Sequence, residues 1–313
     1  MCPLSGELLN VSAHFTEEFK AKTVKKGENL AIKCQAFGDK PLTITWRKDG
    51  QPLNKHFDKS YRVEEVMTDE SLTSILNIDG AQRDDSSLFT CHAANTFGKD
   101  ELNIQVIVQE RPDRPGKLSH SDLSSRQITI SWTPAYSGNS PIHQYLVQYK
   151  IGDAGRWEDV AKQMTVSGSE TKVTISGLLP ATSYHFRAFA ENSFGRSEAS
   201  QVLAVTTDME VPGSPPQAIQ VEPMGSQTIR VSWQPPPAAA LHGRLKGYYV
   251  GYKEHGSSEP YTYKTLEMTE SFTHECLVTN LRRLTHYSIV VQAFNSKGAG
   301  PPSDPITIQT SDN

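Results

Sequence analysis

The side chains of this sequence with the most reactive chemistry are its four cysteines, Cys2, Cys34, Cys91 and Cys276. Thiols can bind metal ions, act as nucleophiles or join in disulfides. No two of the four stand in a Cys-x-x-Cys pair, the spacing that most structural zinc sites use. For Cys34 and Cys91 this absence favours a structural disulfide, with metal binding as the alternative.

Other residue types give no pattern typical of catalysis or of a cofactor. There is no Gly-x-Ser-x-Gly turn for a nucleophilic serine and no glycine-rich phosphate loop before a helix. Ten histidines are scattered without the spacing of a shared metal site. The formal net charge is −4, from 31 basic and 35 acidic residues, whereas nucleic-acid binding usually needs a basic excess. We predict a non-enzymatic protein without metal or cofactor, whose partners are other proteins.

Asn10-Val11-Ser12 is a sequon that could accept a glycan. In Asn139-Ser140-Pro141 the serine is followed by proline, and we do not count it as a site. We predict glycosylation of Asn10 in an extracellular setting, with an unoccupied sequon as the alternative. Arg244, Lys246, Arg282 and Arg283 are interpreted as solvated charges rather than as a patch for sulfated glycans.

A short motif organises the chain, because it occurs three times after an alternating apolar run. Its asparagines are Asn95, Asn192 and Asn295, which lie 97 and 103 residues apart. Asn and Gly tolerate positive φ in tight turns, so each copy is interpreted as a hairpin at the end of a strand. Helical periodicity is weak everywhere. Three hairpins at this spacing predict three β domains of similar size.

Proline-rich segments predict the domain boundaries. One runs over residues 110–115 and the other over residues 211–216. We predict an N-terminal extension over 1–14 and domains over 15–110, 111–208 and 209–313. Proline fixes φ and restricts the residue before it, so these short linkers predict a semi-rigid rod.

The first domain has a Cys-Trp-Cys arrangement on alternating strands. Period-two alternation places Trp46, Cys34 and Cys91 in one core between two sheets. This arrangement resembles the immunoglobulin sandwich, and the resemblance implies a Cys34–Cys91 disulfide beside the tryptophan. Such a bond, closing a loop of nearly 60 residues, would stabilise by about 4 kcal/mol in the chain-entropy model. Residues 85–91 resemble the family's strand signature, except that Phe89 replaces its tyrosine.

The second and third domains align with each other residue by residue. Trp132 matches Trp233, and a later Leu-x-Pro-x-Thr-x-Tyr stretch ending at Tyr184 matches one ending at Tyr287. These features resemble the fibronectin type III consensus, although Arg283 replaces its proline. The resemblance implies two further β-sandwiches, in which both tyrosine hydroxyls bond to nearby backbone. The fold prediction is therefore all-β: an I-set-like immunoglobulin domain and two type III domains in tandem.

The two remaining cysteines are interpreted through this alignment. Cys276 lies five residues before Leu281, as Val173 lies five before Leu178. That register predicts a free, buried and inert thiol in the third core. Cys2 is terminal, and either it pairs between chains or it has no role.

Further stretches resemble the Down syndrome cell adhesion molecule (Dscam) family. They include residues 38–42, 89–95, 138–142, 226–233 and 290–293, and the order of domains fits the middle of that ectodomain. The resemblance implies homophilic recognition between cells, often in neuronal wiring or self-avoidance. It also implies that this segment is a stalk with lateral contacts through its type III domains.

Two other functions stay open. Muscle filament proteins in the cytosol also combine these domains, and there Cys34 and Cys91 would be reduced. Ectodomains of receptor phosphatases or kinases share the plan as well. The sequence has no visible signal peptide and no apolar run long enough to cross a membrane. We therefore expect a segment of a longer protein at the extracellular face of the plasma membrane, attached through a region outside this chain.

Overall fold

The computed structural model describes residues 10–53, 61–269 and 273–312. In these residues it has six β-sheets, two in each of three successive sandwiches. The prediction of an all-β fold with tandem sandwiches is confirmed. Helical structure in the same residues is limited to one turn, α1, and two 3₁₀ turns. They are α1 (Trp157–Val160), Arg83–Asp85 and Ala238–Ala240.

None of the helical segments within the described ranges is long and apolar enough to cross a membrane.

Over residues 10–53 and 61–109 the first sandwich has eight strands. They are β1 (Phe19–Lys25), β2 (Leu30–Phe37), β3 (Thr43–Lys48), β4 (Gln51–Pro52), β5 (Tyr61–Met67), β6 (Ser71–Ile78), β7 (Leu88–Asn95) and β8 (Gly98–Gln109). One sheet has the order β2-β6-β5 and the other β1-β8-β7-β3-β4, with β1 parallel to β8. Alternate residues of β2 and β8 are buried, as half-buried strands require. The two apolar faces therefore meet in one core.

A disulfide joins the two sheets of this sandwich. Cys34 on β2 bonds to Cys91 on β7, with their Cα atoms 6.5 Å apart. Trp46 packs in the same core, and its ring N–H donates to the Ser74 hydroxyl at 2.9 Å. The predicted disulfide is confirmed. Residues 10–14, the described part of the predicted extension, lie against this domain. The backbone N–H of Val11 donates to the Asp39 carboxylate at 2.9 Å, and the carbonyl of Val11 accepts from the backbone N–H of Asp39 at 3.0 Å.

The second and third sandwiches repeat one strand plan. The second has β9 (Ser119–Ser121), β10 (Gln127–Ser131), β11 (Gln144–Ile151), β12 (Lys162–Ser167), β13 (Lys172–Ser176), β14 (Ser183–Asn192), β15 (Gly195–Arg196) and β16 (Leu203–Thr206). The third has β17 (Gln217–Pro223), β18 (Ile229–Gln234), β19 (Leu245–Glu254), β20 (Thr262–Glu267), β21 (Glu275–Val278), β22 (His286–Asn295), β23 (Gly298–Ala299) and β24 (Ile306–Gln309). Their sheet orders are β13-β10-β9 with β12-β11-β14-β15, and β17-β18-β21 with β20-β19-β22-β23. In each domain the last strand, β16 or β24, also pairs with the long strand β14 or β22.

The tryptophans and corner tyrosines have the same places in both domains. Trp132 and Trp233 are buried in their cores. The ring centroids are 5.1 Å apart for Trp132 and Tyr145, and 5.2 Å apart for Trp233 and Tyr248. The Tyr184 hydroxyl accepts from the backbone N–H of Leu179 at 2.9 Å, and the Tyr287 hydroxyl accepts from Arg282 at 3.0 Å. The replacement of proline at Arg283 therefore leaves the corner bond intact.

The structure describes one of the two remaining cysteines. Cys276 is buried on β21 opposite Val231, without a disulfide, and burial raises the pKa of its thiol above the ordinary value. Both observations agree with the predicted inert thiol. Cys2 lies outside the described residues.

Candidate interaction surfaces and domain junctions

The three repeated asparagines fix their hairpins through their side chains rather than through the backbone conformation. Each copy is a hairpin, as predicted, with positive φ at Gly195 and Gly298 and at none of the three asparagines. Instead, each side-chain oxygen accepts from the backbone N–H two residues further along. These bonds run from Phe97 to Asn95 at 3.0 Å, from Phe194 to Asn192 at 2.8 Å and from Lys297 to Asn295 at 2.9 Å. Each asparagine is thereby held in one orientation.

The other end of each amide binds the segment that enters the same domain. The side-chain N–H groups of Asn95, Asn192 and Asn295 donate to backbone carbonyls at 2.9, 2.7 and 2.7 Å. The three acceptors are Val11, Glu110 and Glu210, which precede the asparagines by 84, 82 and 85 residues. The motif therefore anchors each linker to the domain that follows it. Sequence reasoning missed this role, although the Glu-x-Pro at residues 110–112 and 210–212 was a signal for it.

The junction of the first and second domains is centred on Glu110, which is 7% exposed. Its backbone N–H donates to the carbonyl of Gly138 at 2.9 Å. Its carboxylate accepts from Lys26 at 2.7 Å and from the guanidinium of Arg83, both in the first domain. Glu110 is therefore bonded to the domain before it through its side chain and to the domain after it through its backbone.

Arg83 extends this junction across to the second domain. Its two terminal nitrogens donate to the two carboxylate oxygens of Asp113 at 2.9 and 2.7 Å. The guanidinium carbon also lies 4.1 Å from the ring centroid of Tyr136. A bidentate pair with a stacked ring fixes the orientation of a planar guanidinium. This arginine therefore joins the first domain, the linker and the second domain.

The junction of the second and third domains uses Glu210 in the same way. Its carboxylate accepts two bonds from Arg126, at 2.8 and 2.7 Å, and one from the Ser125 hydroxyl at 2.6 Å. Its backbone N–H donates to the carbonyl of His242 at 3.1 Å. As at the first junction, the carboxylate binds the preceding domain, and the backbone binds the following one.

Both carboxylates are stabilised in the ionised form. Burial alone would raise the pKa of Glu110, but the hydrogen bonds from Arg83 and Lys26 outweigh it, and the pKa lies below the ordinary value. Hydrogen bonds from Arg126 and Ser125 lower the pKa of Glu210 to about 2. The two junctions are therefore fully ionised at neutral pH.

The outer face of the larger sheet in the second domain carries alternating cations and rings, named here the cation ladder. The ammonium of Lys150 lies 5.5 Å from the Trp157 ring, and the guanidinium of Arg187 lies 4.4 Å from it. Arg187 and Arg196 lie 5.2 and 5.5 Å from the ring of Phe189. Each cation–π contact is worth about 0.5–1 kcal/mol at exposed sites. Two of its cations are paired with carboxylates, Arg187 with Glu158 at 3.8 Å and Arg196 with Glu191 at 2.8 Å, so the face carries charges of both signs.

The matching face of the third domain carries an aromatic cluster instead, named here the aromatic face. It consists of Tyr249, Tyr261, Tyr263 and Phe294. Tyr249 stacks on Phe294 with ring centroids 4.5 Å apart and meets Tyr263 edge-on at 6.4 Å. Tyr261 lies 6.2 Å from Tyr263. The rings form one connected layer, and Tyr263 is 49% exposed.

Two glycines leave room for rings of this face close to the sheet. A Cβ at Gly251 would lie 2.6 Å from the Tyr263 ring and 2.8 Å from the Val290 side chain. A Cβ at Gly247 would lie 2.8 Å from the Phe294 ring and 2.0 Å from the carbonyl oxygen of Leu266. The missing side chains therefore leave the space that the rings fill.

Asn10, the predicted site of glycan attachment, is exposed, as glycosylation requires.

The basic residues considered for binding sulfated glycans are widely separated in the structure. Arg244 precedes the end of β19 that pairs with Asn295, whereas Arg282 bonds to Glu254 at the other end, about 30 Å away. These arginines do not form one patch. Within the described ranges no group of three or more His, Cys, Asp or Glu residues is arranged to hold a metal ion.

Comparison with known proteins agrees with this organisation. The immunoglobulin I-set domain model matches residues 13–108, and the fibronectin type III domain model matches residues 113–206 and 214–309. The chain is 39% identical over 292 residues to cell adhesion molecule Dscam1 of Drosophila melanogaster, which covers 93% of this chain and 14% of the relative. It is 34% identical over 303 residues to cell adhesion molecule DSCAM of Gallus gallus, covering 96% and 15%. The chain thus spans about one seventh of the length of these relatives.

A solved structure of chicken CNTN1 domains FN1–FN3 is also similar, at 20% identity and a TM-score of 0.36. The match covers 91% of this chain and 99% of that one.

Proposed function

Because the chain belongs to the fibronectin type III family, as a Dscam-family segment with an I-set domain ahead of two type III domains, we propose that it is part of a non-enzymatic cell adhesion receptor. In this proposal it lies at the extracellular face of the plasma membrane and acts as a stalk. Its partners are copies of the same receptor, contacted laterally. Recognition between cells, of the wiring or self-avoidance type, belongs to the whole receptor.

The observation that carries the stalk function is the repeated construction of the two junctions. At each, an ionised glutamate is bonded by its side chain to the domain before and by its backbone to the domain after. Charge-assisted hydrogen bonds are about twice as strong as neutral ones. Such junctions limit bending between domains. A limited range of bending keeps an adhesive surface at a defined distance from its membrane.

The Cys34–Cys91 disulfide favours the adhesion receptor over a cytosolic filament protein. Structural disulfides persist in oxidising compartments and are rare in the cytosol. The test is the mass of the chain secreted from animal cells, measured before and after reduction under denaturing conditions. We expect a gain of about two hydrogens on reduction, and a glycan at Asn10 that is lost in Asn10→Gln. Free thiols at both cysteines in secreted material would contradict the extracellular assignment.

The homophilic partner has a separate test. The chain is attached through its C-terminus to a supported lipid bilayer, with donor and acceptor dyes on separate copies. We expect energy transfer that rises with surface density above the value for random mixing, because tethering raises the effective concentration of weak partners. Transfer at the random value over all densities would contradict lateral homophilic contact by this segment.

A further inference from the structure

We infer that the aromatic face of the third domain binds the same face of a second copy, with the two copies related by a two-fold axis. This inference rests on the proposed homophilic function, and it names the surface and the register. The partner commitment follows from three observations: the chemistry of the face, the order of its rings and the placement of its charges.

The chemistry of the face is typical of a binding surface. Tyrosine and phenylalanine are enriched in interface cores, where charged residues are depleted. Core residues of β19, β20 and β22, such as Tyr248, Leu266 and Val291, define which side of each strand points inward. Of the outward residues on these strands over 247–253, 261–267 and 288–294, two are charged, Lys253 and Glu267.

The rings of the face are held in place within the domain itself. Tyr263 lies over Gly251 and Phe294 lies over Gly247, in space that a side chain at either glycine would take. Contacts with Tyr249 already order both rings before any partner binds. An aromatic cluster that is already ordered can bind an identical cluster with little loss of side-chain freedom, and this loss is a main cost of association.

The two charges fix the direction of pairing. Glu267 is paired with Gly247 at one end of the face, and Lys253 lies at the other end, about 20 Å away along β19. A two-fold axis in the interface, perpendicular to the strands, brings Lys253 of each copy to Glu267 of the other. The remaining offset is one strand spacing, about 4.8 Å, which a lysine side chain can span. A parallel arrangement would place like charges together instead.

The size of the face predicts a weak contact. Three strands and about 20 Å of strand length give a buried surface of roughly 600–1,000 Å² for both copies together, below that of stable complexes. We therefore expect a dissociation constant in the range of tens to hundreds of micromolar, sufficient between copies on one membrane. The matching face of the second domain is more polar: Arg187 and Arg196 lie there with their partners Glu158 and Glu191, and charged residues are depleted in interface cores.

The decisive variant is Tyr263→Ser, with Val202→Ser in the second domain as the matched control. Both residues are about half exposed, at 49% and 51%, so neither change removes a core contact. By sedimentation equilibrium we expect Tyr263→Ser to weaken self-association at least tenfold and Val202→Ser to leave it within twofold of the starting chain. Equal association of the two variants would overturn the assignment of this face, and so would a chain that is monomeric up to millimolar concentration.

A charge exchange tests the register. Glu267→Lys places two like pairs in the dimer, and we expect at least a fivefold loss of affinity. Adding Lys253→Glu restores opposite charges, and we expect affinity within threefold of the starting chain. Since Lys253 also donates to the carbonyl of Ser257, unfolding midpoints are measured for each variant. A double variant as weak as Glu267→Lys alone would overturn the antiparallel register.

The bilayer measurement separates this inference from the proposed function. If tethered copies of the starting chain show energy transfer and Tyr263→Ser shows the same transfer, the aromatic face is wrong and homophilic contact stands. If the starting chain shows only random transfer, the homophilic function fails.

Discussion

The second and third domains have the same core and differ on the outer face of the larger sheet. Inward residues match in type and place, as with Trp132 and Trp233 beside a buried tyrosine. Outward residues of the central strand differ at three of four positions. They are Gln144, Leu146, Gln148 and Lys150 on β11, against Gly247, Tyr249, Gly251 and Lys253 on β19.

The comparison shows how one sandwich supports two kinds of surface. In a strand, successive side chains point to opposite faces, so the inward set can stay constant while the outward set changes. In the second domain the outward set is a cation ladder, whose members contact one another across the sheet. In the third it is an aromatic layer lying over two glycines. The fold is therefore common to both domains, and the interaction surface is specific to one.

The largest expected effect is in the core, which the second and third domains have in common. Trp132→Ala and Trp233→Ala each remove a buried ring from an equivalent core. We expect each to lower the free energy of unfolding of its own domain by about 4 kcal/mol, since a large cavity adds to the lost burial. Hydrogen exchange resolved by peptide measures this loss separately in each domain.

The matched control for both variants is the opposite domain of the same molecule, whose exchange should stay unchanged. A difference of more than about 2 kcal/mol between the two losses, beyond the ordinary spread for such changes, would mean that the two cores are not equivalent.

The next effect tests the difference between the outer faces. Gly247→Ala on β19 places a Cβ 2.0 Å from the carbonyl oxygen of Leu266, a backbone atom held in the β19–β20 pairing. Alanine ordinarily stabilises a strand relative to glycine, but here the steric clash is larger. We expect a loss of about 2–3 kcal/mol in the third domain, typical of overpacking, measured by the same exchange experiment.

The matched position in the second domain is Gln144, which bonds to Glu191. For Gln144→Ala we expect a loss of about 1 kcal/mol, the value of one hydrogen bond. A stabilised Gly247→Ala variant would show that the glycines are not required by the third face.

The cores were predictable from sequence because burial imposes a period of two that single residues reveal. Trp46, Cys34 and Cys91 could be placed in one core in this way, and the disulfide joins that core as expected. Tyr184 and Tyr287 were likewise predictable, since their hydroxyls bond to backbone only a few residues away.

The junctions and the aromatic face were not predictable, because they depend on contacts between distant parts of the chain. Asn192 reads in sequence as a turn residue, and its bond to the carbonyl of Glu110 spans 82 residues. The hydrogen bond from the Tyr61 hydroxyl to Asp85 likewise joins residues of different strands and turns. Tyr263 and Phe294 each reach Tyr249 only after β19, β20 and β22 have paired in register.

The smallest expected effect is at the junctions, where each type III domain joins the domain before it. Glu210 has a folded pKa of about 2, below the ordinary value of 4.5. A lowered folded pKa contributes stability that is fully present above the unfolded pKa and is lost as the pH falls toward the folded one.

We therefore expect Glu210→Gln to lower the unfolding free energy by about 1–2 kcal/mol at pH 7, the value of hydrogen bonds to a charged group. In calorimetric unfolding, the difference from the starting chain should shrink below about pH 4.5 and vanish near pH 2. Glu110→Gln should follow the same direction, because Arg83 and Lys26 lower the pKa of Glu110 as well.

Glu198→Gln is the control, since the Glu198 side chain pairs with Arg111 while 74% exposed, and such surface pairs contribute little. A constant difference between Glu210→Gln and the starting chain from pH 7 to pH 2 would mean that the ionised carboxylate does not hold the second junction, and the two junctions would then differ in mechanism as the two outer faces do.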